Sequence, residues 1–107
     1  MREIKAIVRP ERVADVLAAL HQRTNLPGVT ISQVDGVGRV TGESVPSFGQ
    51  VQMAKIETVV SDELAPWVVD TIKRAASTGR SGDGKIFVIA VDQAVQIRSG
   101  EEGPQVL

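Results

Sequence analysis

The chain has no cysteine and no tyrosine, one tryptophan, two phenylalanines and a single histidine in 107 residues. Without cysteine there are no disulfides, no thiolate metal sites and no thiol nucleophile. His21 alone cannot furnish a His-built metal site or a His-dependent triad within one subunit. Neither sign of charge is in excess. Twelve basic against thirteen acidic residues give a net charge of −1, which leaves a nucleic-acid partner no electrostatic footing. No apolar run approaches the length of a membrane span, and the charged, strand-like opening Met1-Arg2-Glu3 is unlike a secretory leader. What the chain does have is aliphatic: 42% of it is hydrophobic, enough Ala, Val, Ile and Leu for one core. A domain this small leaves much of its surface exposed, so self-association would help it. These features predict one soluble cytoplasmic domain over residues 1–107 that is not a monomer.

Glu3 to Val8 alternates polar and apolar residues and is rich in β-branched side chains, so it reads as a strand. Arg9-Pro10 breaks it. Val13, Val16, Leu17 and Leu20 then recur at helical spacing, predicting a helix that ends near Arg23-Thr24-Asn25, with Leu26-Pro27-Gly28 as the turn. A second strand runs from Val29 to Val34 into Gly36-Val37-Gly38-Arg39. Val40 to Gln52 is rich in turn formers and reads as a loop, of a length at which structureless loops are usually functional or disordered. A strand from Met53 to Val60 follows, and Ser61-Asp62 looks like a cap. The next helix carries Leu64, Trp67, Val68, Thr71, Ile72, Ala75 and Ala76 on its apolar face and stops before Gly79. Lys85 to Val91 is the last strand, and a mostly polar segment occupies 92–107. The halves resemble each other at an offset of 51, Val8 matching Val59 and Leu17 matching Val68. Strand–helix–strand twice over predicts an α+β, ferredoxin-like βαββαβ sandwich, an antiparallel sheet with both helices on one face. The other face, expected to carry Ile, Val and Ala, would pack against further subunits.

The strongest local signal is Thr78-Gly79-Arg80-Ser81-Gly82-Asp83-Gly84-Lys85. Its glycines allow close backbone approach and exposed amides, which cradle phosphates, and Arg80 and Lys85 add positive charge. It is not a Walker loop, because the lysine opens a strand and not a helix. The same composition describes an ordinary helix-to-strand turn, and both readings stand on these residues alone. Gly36-Val37-Gly38-Arg39 reads more readily as a bulge, and Arg98 by itself as a surface arginine. Glu57 is a mid-strand carboxylate that would face solvent, pair with a base or accept from a ligand. Trp67 is expected in the core and His21 in solvent, and Asp15, Asp62 and Asp70 on helix surfaces or caps. No paired acids, activated nucleophile or metal-ligand cluster emerges, so neither catalytic nor metal-binding residues are expected.

In order, these segments resemble the P-II signal-transduction proteins. The similarity is carried by Thr78-Gly-Arg-Ser-Gly-Asp-Gly-Lys-Ile-Phe-Val-Ile-Ala-Val91, by Val95-Gln-Ile-Arg-Ser-Gly-Glu-Glu102, by the opening Met1 to Pro10, by Gly36 to Arg39 and by Lys55 to Val60. It covers essentially the whole chain with one gap in the central loop. The resemblance implies a homotrimer of ferredoxin-like subunits with inward-facing sheets, binding adenine nucleotides in the clefts between subunits at the base of a mobile T-loop, here about residues 39–53. Matched positions imply that Gly82, Asp83, Gly84 and Lys85 hold phosphates, that Arg39 and Arg98 add charge and that Gly38 makes close contact. Ile7, Glu57 and Val59 would border the base and sugar, with Thr30, preceded by Gly28, reaching the adenine from a neighbouring subunit.

Departures from the family pattern narrow the expectation. Val40 stands where nitrogen-regulating members have a glutamine for magnesium and 2-oxoglutarate, Met53 where a lysine pairs with 2-oxoglutarate, and Gln96 where an arginine meets terminal phosphates. The loop is shortened, and without tyrosine the uridylylation site is missing. A sensor favouring ADP or AMP over ATP is therefore expected. Arg39, Lys85 and Arg98 are candidates to hold bicarbonate, as in a carboxysome-associated branch, and the T-loop would meet a partner such as a transporter or enzyme, with peripheral attachment to a membrane transporter as one form. The rivals are a regulator of heavy-metal efflux, a nitrogen regulator using ATP and 2-oxoglutarate, a slow ATPase and a purely structural trimer.

Overall fold

Alternation along the first strand decides which side of the sheet becomes the core. In the computed structural model, which describes residues 1–39 and 48–107, β1 (Arg2–Val8) buries Ile4, Ala6 and Val8 on one face. A 3₁₀ turn, Pro10–Arg12, leads into α1 (Val13–Leu20). Then come β2 (Thr30–Arg39), β3 (Phe48–Val60), α2 (Ala65–Ala76) and β4 (Gly84–Ala90). The sheet order is β2-β3-β1-β4, every pair antiparallel, with both helices on one side. This is the ferredoxin-like βαββαβ sandwich. The core joins Ile4, Ala6 and Val8 to Ile56 and Val60 of β3, Val16 and Leu20 of α1 and Val68 and Ile72 of α2.

Boundaries shift where backbone geometry overrides side-chain pattern. The helix expected to reach Arg23 ends at Leu20, because the next amides bond three residues back, Gln22 N–H to Ala19 at 3.4 Å and Arg23 N–H to Leu20 at 3.2 Å. Ser61 starts the second helical region as expected: its hydroxyl accepts the Leu64 amide at 3.2 Å. The hairpin is longer than its residues suggested. β2 continues past Val34 to Arg39 and β3 begins at Phe48, five residues ahead of Met53, so 48–52 form strand where a loop was expected. Main-chain pairing carries this stretch regardless of its glycines and glutamines, with Gln52 donating across the hairpin to Gln33 at 3.3 Å. Val40 and the tip of the expected T-loop lie outside the described residues.

The helix-free face carries the expected Ile and Val but adds a charged centre that the expectation did not include. Ile4, Ala6, Val8 and Ile56 are spent under the helices, and the register puts Glu3 and Lys5 of β1 beside Lys55 and Glu57 of β3 on the open side. Lys55 pairs with Glu57 at 3.4 Å. Ile7, Val59, Phe87 and Ile89 complete this face, which is thus a charged centre between apolar patches. No described helix is long and apolar enough to cross a membrane. Trp67 is half-buried beneath the Arg23 guanidinium, 4.6 Å from the ring centre, and His21 is exposed as expected.

Candidate functional site

The glycine-rich turn joins the end of α2 to the start of β4, and Asp83 organises it. One carboxylate oxygen accepts the Thr78 amide at 2.7 Å and the Gly79 amide at 3.0 Å; the other accepts Nε of Arg9 at 2.9 Å and the Thr78 hydroxyl. These bonds, the Arg9 guanidinium foremost, hold the Asp83 carboxyl well below the usual carboxylate range. A second guanidinium nitrogen of Arg9 donates to the Ser81 carbonyl at 2.7 Å. Gly79, Gly82 and Gly84 adopt φ of 78°, 93° and 101°, left-handed backbone that favours glycine. At Gly84 the requirement is absolute, since an added Cβ would lie 1.7 Å from the Ile7 carbonyl oxygen. Among the described residues the amides of Ser81 and Gly82 meet no acceptor, and Lys85 has no carboxylate within ion-pair distance. A hollow of about 330 Å³ beside the turn is lined by Ile7, Asp83, Gly84, Lys85, Lys73, Ser77 and apolar side chains.

A second cluster forms toward the other end of the sheet. Gly28, Thr30, Glu57 and Val59 line a cavity of about 400 Å³ with Glu3, Pro27 and Leu107. Thr58, buried in β3, donates to the Gly28 carbonyl at 3.1 Å and ties the loop before β2 to the sheet. Thr30 pairs directly with Glu57 in the ladder. The Glu3 and Glu57 carboxyl groups lie within hydrogen-bonding reach of each other, a contact that raises Glu3 and lowers Glu57.

Within one chain the sequence-expected residues therefore fall into separate groups. Ile7 sits opposite Lys85 on β4, whereas Val59 sits opposite Glu3, four β1 residues away or roughly 13 Å at strand rise. Gly38 lies high on the projecting hairpin, paired with Gly49, and the Arg39 backbone lies one step beyond. Arg98 is exposed on the turn of the C-terminal segment, which folds back through the Val95–Glu102 bridge. That segment follows the end of β4 remote from Lys85. Single-chain geometry gathers Gly82, Asp83, Gly84, Lys85 and Ile7 in one place and Gly28, Thr30, Glu57 and Val59 in another; Gly38, Arg39 and Arg98 join neither.

Two of the departing positions have structural occupations. Met53 is nearly buried, its side chain lying over Gly36, where an added Cβ would touch it at 3.6 Å. The Gln96 side chain accepts the Ser99 hydroxyl at 2.7 Å and so closes its own turn. Sequence reading missed Arg9 and Glu3 as members of these clusters. Both are distant in sequence from what they touch: Glu3 lies within the first strand and Arg9 directly follows it. Among the described residues no three His, Cys, Asp or Glu side chains gather to hold a metal ion.

The chain is a ferredoxin-like domain with an ordered, glycine-rich turn before its last strand. The family model for nitrogen regulatory protein P-II matches residues 1–101. A nitrogen regulatory protein P-II from Bradyrhizobium diazoefficiens is 40% identical, the alignment covering 96% of each chain. P-II 2 of Methanothermobacter thermautotrophicus is 43% identical over 96% of this chain and 94% of its own, and P-II 1 of Escherichia coli 42% over 95% and 96%. The chain belongs to the P-II family. It is a signalling protein and not an enzyme.

Proposed function

We propose that this protein is a homotrimeric, cytoplasmic sensor of adenine nucleotides that favours ADP or AMP and regulates a protein partner through its T-loop. The observation that carries the reading is the turn at 78–85. Asp83 gathers Thr78 and Gly79 at the head of a turn with three left-handed glycines, while Lys85 and the Ser81 and Gly82 amides keep their donors for an anion. The separation of this turn from the Gly28–Thr30–Glu57–Val59 cavity fits a ligand that spans two subunits, with phosphates on one and adenine on the other. Arg39 and Arg98 complete the cleft from the hairpin and the C-terminal turn. Met53 is committed to packing, and Gln96, a neutral amide whose oxygen accepts the Ser99 hydroxyl, brings no positive charge to a dicarboxylate or a third phosphate. The charge left by that phosphate, from Lys85 with Arg39 or Arg98, suits bicarbonate, which accepts paired hydrogen bonds.

The names of the relatives favour a second reading, nitrogen regulation with ATP and 2-oxoglutarate. Calorimetric titrations with ADP, AMP and magnesium–ATP, each with and without bicarbonate or 2-oxoglutarate, decide between them. ADP or AMP should bind at least as tightly as ATP, with no gain from 2-oxoglutarate. Bicarbonate should strengthen ADP or AMP binding and be strengthened by it in equal measure. ATP affinity that rises with 2-oxoglutarate would establish the second reading.

A further inference from the structure

The residue that shapes the turn lies 74 positions away from it in sequence. Pro10 pushes the preceding residue out of helical backbone, and Arg9 accordingly has φ −62° and ψ 137°. From there its guanidinium extends to the turn and makes divergent bonds, Nε to the Asp83 carboxylate at 2.9 Å and a terminal nitrogen to the Ser81 carbonyl at 2.7 Å. Gly82 rests against the same group, since an added Cβ there would come within 3.3 Å of it. Arg9 and Asp83 are each about one-fifth exposed, 21% and 23%, so the pair is sheltered from full solvent screening. Arg9 thus holds both sides of the turn: the carboxylate that gathers Thr78 and Gly79, and the carbonyl immediately before Gly82.

We propose that Arg9 is a positioning residue for phosphate recognition, which through Asp83 and the Ser81 carbonyl holds the 79–84 backbone in its anion-accepting shape. The inference rests on the nucleotide-binding reading above. The Ser81 carbonyl and the Gly82 amide belong to one rigid peptide plane, so fixing the Ser81 carbonyl fixes the direction of the Gly82 N–H. Asp83, kept ionised by its partners, would by itself repel a phosphate; Arg9 neutralises it while leaving Lys85 to the ligand. A planar fork suits this geometry, and a lysine ammonium, a point charge, does not reproduce it.

The test compares ADP with adenosine, which lacks the phosphates, on the parent protein and on Arg9→Gln, Arg9→Lys and Asp83→Asn, each first shown to keep the parent's assembly state. Arg9→Gln should weaken ADP about tenfold or more while changing adenosine less than about twofold. Arg9→Lys should recover little of the loss. Arg9→Gln in an Asp83→Asn background should cost less than it does alone, because the two act as one unit. If the parent binds ADP and Arg9→Gln binds it equally well, the positioning role is wrong and the nucleotide reading stands. Full recovery by Arg9→Lys would reduce Arg9 to a charge and overturn the proposal. A parent that binds neither ADP nor adenosine removes the reading and this role with it.

Discussion

Gly84 and Gly38 belong to the same family signature yet face different physical demands. Gly84 combines φ of 101° with a carbonyl 1.7 Å from where a Cβ would sit, whereas Gly38 has open space around it and no left-handed backbone. Gly84→Ala should therefore lower stability by about 2–4 kcal/mol, from strain and displacement of the Ile7 backbone together. Gly38→Ala should change it by less than about 0.5 kcal/mol. Urea titrations of the two variants check this, and equal costs would mean the turn is not built as described. Asp83 gives a pH test. Its folded-state value is depressed, so its contribution is complete above the unfolded value near 3.9 and is lost as pH falls through the folded one. Urea midpoints of the parent should fall between about pH 5 and pH 2. Those of Asp83→Asn should start lower and fall less steeply. Parallel curves would show that Asp83 carries no such coupling.

At the scale of elements, α2 was legible and the hairpin was not. The apolar residues of α2 recur at helical spacing with a hydroxyl before them, and nearly all of that stripe is buried. Ser61→Ala should cost about 1 kcal/mol, read as a shift in the thermal midpoint, because it leaves the Leu64 amide without its side-chain acceptor. The hairpin's outer part contains Gly36, Gly38, Gly49 and two glutamines, and weak strand formers hide a ladder that is made by backbone bonds. The candidate site divides similarly. Its glycines and Lys85 announced themselves through local composition, a signal that needs no fold. Arg9 and Glu3 acquire their partners only through the β1 register and the closure of the α2–β4 turn, relations that single-residue patterns do not encode.

For the whole molecule, the two clusters are too far apart to act as one compact pocket in a single subunit, and the open sheet face leaves Phe87 and Ile89 substantially exposed. Both observations suit a trimer with sites between subunits. Light scattering at micromolar concentration should give three times the 11.4 kDa chain mass. A stable monomer would remove the shared cleft. The most direct measurement is a calorimetric titration of ADP into the parent and into Lys85→Ala, with the assembly state of both established. The account predicts one ADP per subunit for the parent and an affinity weaker by about tenfold or more in Lys85→Ala, the loss of a charge-assisted phosphate contact. Equal affinity in the two proteins would contradict the assignment of the 78–85 turn as the nucleotide site.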